Sequence, residues 1–180
     1  MAPAKVANLL VFTVCLTGCS LVGAPPSPEP SPRPGAPRTD PRPEPAGDPS
    51  PSGEEREIAL AVVETAFEAI GTPYQWGGTD ANGFDCSGLI RYAYGRFGID
   101  LPRISRDQLR MGSPVELKVE ALWPGDVLGF SAVVGGEATH VGLYVGDGEF
   151  IHSSTRGVRV SDLREPYWQQ HFIAARRMVF

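Results

Sequence analysis

Cysteine is nearly absent from this chain: its 180 residues include only Cys15, Cys19 and Cys86. The body of the sequence holds Cys86 alone, so a disulfide framework is excluded there. Histidine is as scarce, limited to His140, His152 and His171. Cys86 with two histidines invites a zinc reading, but no short-spaced ligand pair supports it, so neither metal nor cofactor is expected. Positive charge is not in excess either: 16 Lys and Arg against 21 Asp and Glu give a net charge of −5. Without a basic stripe the chain is a poor match for nucleic acid. The N-terminal apolar run, Val6 to Leu16, is interrupted by Asn8 and Thr13 and is too short to span a bilayer.

That run follows Lys5 and leads into Leu16-Thr17-Gly18-Cys19, the layout of a secretory leader. The four residues resemble the bacterial lipobox, which implies removal of residues 1–18 and lipidation of Cys19, and hence a membrane anchor. Several acyl chains on one residue anchor stably where one chain does not. Ser20, rather than Asp, follows the cysteine, which by the same resemblance points to the outer membrane and its periplasmic side. Residues 19–53 hold 12 of the 18 prolines and no apolar periodicity, so a disordered tether is expected. In polyproline II form it would reach roughly 100 Å. Residues 54–180 are left as one domain with a single core, expected to be a monomer. With Cys15 removed and Cys19 lipidated, Cys86 is an unpaired thiol in an oxidising compartment, which reads as reactive rather than structural.

Within the domain, Glu54 to Ile70 reads as an amphipathic helix with Ile58, Val62, Phe67 and Ile70 on its apolar face. Residues 72–84, rich in Gly and aromatics, read as a loop. Cys86 to Phe97 carries Leu89, Ile90, Ala93, Tyr94 and Phe97 at helical spacing, with Gly98 as its C-cap. Ser105-Arg106-Asp107-Gln108 has the form of a capping box opening a third helix. Strands follow at Val127–Phe130, His140–Val145, Glu149–Ser153, Val158–Val160 and Phe172–Val179, with a tight hairpin at Asp147-Gly148. Helices first and antiparallel strands after make an α+β fold.

This order places Cys86 in the first turn of a helix, where the dipole and free N–H groups favour thiolate. Asp85 opposes this unless a partner neutralises it. His140 and His152 fall on paired strands and can share a face, expected to be the one that the Cys86 helix covers. A thiolate–imidazolium pair then forms, with His140 as base and His152 accepting its ring N–H. The Cys86 N–H and a group from residues 74–78 are candidate oxyanion donors. Tyr74 and Trp76 are expected to border a groove, because adjacent glycines allow close backbone approach. Asp126 reads as ordering a Pro-Gly turn, Arg91 as exposed and His171 as a surface residue.

Five blocks carry a resemblance: Tyr74-Gln75-Trp76-Gly77-Gly78, Phe84-Asp85-Cys86-Ser87-Gly88, Leu122-Trp123-Pro124-Gly125-Asp126, His140 to Gly146, and Phe150-Ile151-His152. In this order they resemble the NlpC family of bacterial cell-wall cysteine peptidases, from about residue 58 onward. The resemblance implies a papain-like core and hydrolysis of peptidoglycan stem peptides, commonly between D-γ-glutamate and the diamino acid. It implies that Cys86 is the nucleophile, His140 the base and His152 the third polar residue. Tyr74 would lie on the oxyanion side, and Asp85 and Ser87 against the polar or amino end of the substrate. Gly129 replaces a bulkier residue and is expected to loosen a pocket wall. Two other readings remain open at this level: a wall-binding module without activity, and an acyltransferase on the same fold.

Overall fold

The computed structural model describes residues 51–178. The leader, Cys19, nearly all of the tether and the end of the last predicted strand at Val179 lie outside them. Helix α1 (Gly53–Glu68) begins in a true capping box: Ser52 Oγ accepts the Glu55 N–H (3.2 Å), and Glu55 Oε2 accepts the Ser52 N–H (2.7 Å). Its buried residues are Val62, Val63, Thr65 and Ala66, followed by Ala69 at the C-cap, whereas Phe67 and Ile70 are exposed. The small residues at that seam let the helix approach its neighbours closely, which the choice of larger side chains overlooked.

Two short strands, β1 (Thr79–Asp80) and β2 (Gly83–Phe84), pair within the predicted loop and lead into helix α2 (Cys86–Gly95). Leu89, Ile90, Ala93 and Tyr94 are buried along it. Gly98, at φ 78°, closes the helix as expected. Its N–H donates to Gly95 O and that of Ile99 to Tyr94 O, the paired reverse bonds of a Schellman end. Arg91 is half-exposed and paired with Asp100. Helix α3 (Ser105–Gln108) lacks the predicted capping box, because Ile104 is its N-cap. Gln108 is instead fully buried and donates from Nε2 to Ser87 O and Pro102 O, both at 2.9 Å.

The remaining strands are β3 (Ser113–Pro114), β4 (Val127–Ser131), β5 (Ala138–Gly146), β6 (Glu149–Ser154), β7 (Gly157–Asp162) and β8 (Phe172–Arg177), with helix α4 (Pro166–His171) before the last. They form one antiparallel sheet in the order β3-β8-β4-β5-β6-β7. The β5–β6 turn has positive φ at both Asp147 (52°) and Gly148 (80°), as a primed hairpin turn requires. Asp126 orders its turn as expected, accepting the Trp123 N–H, and also holds a buried ion pair with Arg177.

Each face of the sheet carries its own core. Val127, Val141, Leu143, Ile151 and Val158 pack with α1 and α2. Leu128, Phe130, Tyr144, Phe150 and Ala175 point the other way, to a second cluster that includes Trp168 of α4. Gly129 does not loosen a wall: a Cβ there would lie 2.4 Å from Leu109 Cδ1, so Leu109 already fills that space.

Candidate active site

Cys86 opens α2, and Asp85 is the N-cap, its Oδ1 accepting the Gly88 N–H at 2.7 Å. The other oxygen accepts the Gly77 N–H at 3.0 Å, which ties the 74–78 loop to the helix start. Arg103 grips the same carboxylate with two nitrogens, at 3.0 and 2.5 Å, and also donates to Ser87 Oγ at 2.8 Å. Burial acts to raise the Asp85 carboxyl, but Arg103 and the two N–H groups outweigh it and hold the pKa below the usual value. Asp85 and Ser87, expected against the end of a substrate, are only 8% and 5% exposed, and both are engaged with Arg103. Arg103 is the more open member of this cluster. The sequence reading missed it, although its place in Pro102-Arg103-Ile104, between two helices, is ordinary for an ion-pairing arginine.

His140 on β5 and His152 on β6 meet as predicted, with Nε2 of His140 2.9 Å from Nδ1 of His152. They do not lie on the face covered by α2. Strand alternation sends Val141, Leu143 and Ile151 toward α1 and α2, so the rings of their neighbours His140 and His152 point to the opposite, aromatic side. There Trp168 stacks on His140 (5.9 Å, 26°) and meets His152 edge-on (4.9 Å, 77°), with Phe130 and Phe150 beside them. The residue paired with Leu143 is Ile151, and toward residue 140 no further β5–β6 pair continues the ladder. The N–H of Val141, next to His140, instead reaches the Cys86 thiol. The thiol thus lies by Val141, the residue after His140 on β5.

Ser161 of β7 completes the line, its Oγ 2.9 Å from His152 Nε2. Neither Ser161 nor Trp168 carried a signal in the sequence, since both contacts come from elements distant in the chain. His171 lies apart from this line, stacked on Tyr167.

Burial pushes the Cys86 thiol up. The Val141 N–H pulls it down, Asp85 pushes it up, and the N–H groups of Ser87 and Cys86 pull it down, with a net rise. Burial also lowers His140 to about 4. His152 is lowered to about 3 by burial, by His140 and by Arg159. Desolvation thus works against the charged form of each group taken singly, and so against the expected thiolate–imidazolium pair.

These shifts make a pH prediction. Folded His140 and His152 bind protons more weakly than the unfolded chain does, so the contribution of their neutral burial is complete above pH 6.5. It is lost as pH falls from 6.5 toward 4 and then 3. Thermal unfolding followed from pH 8 to pH 4.5 should give a level Tm down to about pH 6.5 and then a fall of about 5 °C or more.

Tyr74 bridges to Phe84, and its hydroxyl is raised by burial and by the nearby Cys86 and Asp85. Trp76 stands 87% exposed on the same loop. Beyond His140 a cleft of about 240 Å³ is lined by Phe130, Ser131, Thr139, Ser154, Tyr167 and Trp168. Among the described residues no group of three or more His, Cys, Asp and Glu side chains is placed to hold a metal ion.

Residues 71–177 match the NlpC/P60 family. A probable endopeptidase of Mycobacterium tuberculosis is 46% identical over 112 residues, covering 62% of this chain and 27% of that protein. The murein DD-endopeptidase MepH of Escherichia coli is 40% identical over 117 residues, covering 63% and 43% respectively. The chain thus spans less than half the length of these two relatives. The solved structure of the peptidoglycan hydrolase RipB of Mycobacterium tuberculosis superposes with a TM-score of 0.61 at 31% identity, over 73% of this chain and 69% of that one. With its five sequence blocks meeting in one α+β fold and more than half of its length matched, this chain belongs to the NlpC/P60 family.

Proposed function

We propose that this chain is a cysteine endopeptidase that hydrolyses peptidoglycan stem peptides. The observation that carries this reading is the Cys86 thiol at a helix start, within reach of the Val141 N–H next to His140, together with the hydrogen-bonded line His140–His152–Ser161. If His140 Nε2–H donates to His152 Nδ1, and His152 Nε2–H to Ser161 Oγ, then His140 Nδ1 keeps a free lone pair. That nitrogen takes the Cys86 proton as Sγ attacks the carbonyl carbon. Moving the proton within the pair keeps the buried site at constant net charge, which suits groups that burial keeps neutral. The Cys86 N–H and the Tyr74 hydroxyl serve the oxyanion. The C–N bond then breaks, His140 returns the proton to the leaving amine, and a thioester remains. Water, deprotonated by His140, cleaves that thioester and restores the thiol. Asp85 and Ser87 act on the substrate through Arg103, and no metal or cofactor takes part.

The bond is one of two kinds, D-γ-glutamyl–diamino acid or a cross-bridge. Relatives are named for DD-endopeptidase and for muramidase and DL-endopeptidase activity. His140→Ala in the full chain should slow solubilisation of purified peptidoglycan at least about a hundredfold. Equal solubilisation by both proteins contradicts the assignment.

We further propose that the mature protein is a monomeric lipoprotein, held through Cys19 at the outer membrane and facing the periplasm. The support is the Leu16-Thr17-Gly18-Cys19 segment with Ser20 after it. Cys19→Ser should move the protein from the membrane fraction to the soluble fraction. Retention in the membrane fraction would show that the anchor lies elsewhere.

A further inference from the structure

Trp76 is 87% exposed, more than any other large apolar side chain among the described residues. It is not on a slack loop. The Gln75 N–H donates to Phe84 O (3.0 Å), the Gly78 N–H to Gln75 O (2.9 Å) and the Gly77 N–H to Asp85 Oδ2 (3.0 Å). Gly78 and Gly83 lock the base of the loop, since a Cβ on Gly78 would stand 2.2 Å from Gly83 O. Two residues before it, Tyr74 lies near Cys86 and Asp85, and one residue after it Gly77 bonds Asp85. A flat apolar ring is therefore presented to solvent, rigidly, at the rim of the thiol site.

The neighbouring polar groups say what that rim does not take. A stem peptide freed from its sugar ends in an α-ammonium, which calls for an open carboxylate. Asp85, the carboxylate at this rim, is 8% exposed, and both its oxygens are engaged by Arg103 and backbone N–H groups. A stem peptide still joined to glycan has no ammonium there and continues into a pyranose ring, whose C–H face stacks on an exposed indole.

We propose that Trp76 is a platform for the sugar attached to the stem peptide, so that the chain prefers glycan-linked stems over released peptides. This rests on the hydrolase reading above. The test compares a disaccharide-tetrapeptide with the same tetrapeptide lacking sugar, using the full chain. Wild type should show the higher kcat/KM on the sugar-linked substrate, and that preference should fall roughly tenfold in Trp76→Ala while Trp76→Tyr keeps most of it. The ratio of the two Kd values, measured by calorimetry in a Cys86→Ala background with and without Trp76→Ala, should change in the same sense. If wild type cleaves neither substrate, the D-γ-glutamyl–diamino acid bond is not the one cut, while the Kd ratio still decides the role of Trp76. A Kd ratio that is indifferent to Trp76, including no measurable binding of either ligand, overturns the proposal.

Discussion

Cys86→Ala should lower peptide release from purified peptidoglycan by about a thousandfold or more, with the fold intact. In the proposed mechanism, removing the sulfur removes the atom that attacks, and no neighbouring hydroxyl is placed to replace it. Ser87, the nearest hydroxyl, is buried and committed to Asp85 and Arg103. The helix start should survive the change, because its cap is Asp85 and not Cys86. Thermal unfolding of the variant should therefore stay within a few degrees of wild type, which separates loss of chemistry from loss of structure. A variant that kept a tenth of the activity would mean that the thiol is not the nucleophile.

Gly88→Ala should be the most damaging small substitution in the site for stability. A Cβ at Gly88 would stand 2.0 Å from Gly78 O and 3.1 Å from Asp85 Oδ1. The first contact is with backbone, so no side-chain rotation relieves it. Either α2 lifts away from the 74–78 loop, or the loop breaks its bond from Gly77 to Asp85. Overpacking that forces backbone to move, together with a damaged helix cap, should cost about 3 kcal/mol or more. Gly95→Ala in the same helix is the control. Nothing lies within 4 Å of a Cβ there, and replacing an exposed helical glycine should stabilise by up to about 1 kcal/mol. Denaturant unfolding of both variants checks the contrast, and equal effects would show that the close approach at Gly88 is not what holds the site together.

Local pattern carried much of this site. Strand alternation around His140 and His152, and the Asp147-Gly148 turn between them, suffice to put the two rings side by side. A cysteine at a helix start, capped by Asp85, follows from a short polar residue ahead of an apolar helical period. Local pattern could not tell which face of the sheet the rings occupy. That depends on α4, a six-residue helix too short and too polar to show a period, whose Trp168 turns the far face into a second core. The partners of the chemistry were hidden for the same reason. Arg103 reaches Asp85 across 18 residues, and Ser161 meets His152 through β6–β7 pairing. A helix start is visible in sequence, whereas the desolvation that raises the thiol arises only from packing.

The most direct test of the thiol as a hydrolytic nucleophile is mass spectrometry of the fragments released from purified peptidoglycan in ¹⁸O-labelled water. The full chain should yield stem-peptide fragments with one new amino group and one new carboxyl carrying the label, and Cys86→Ala should yield none. Identical labelled fragments from the Cys86→Ala chain, or release only by cutting between sugars, would contradict the account.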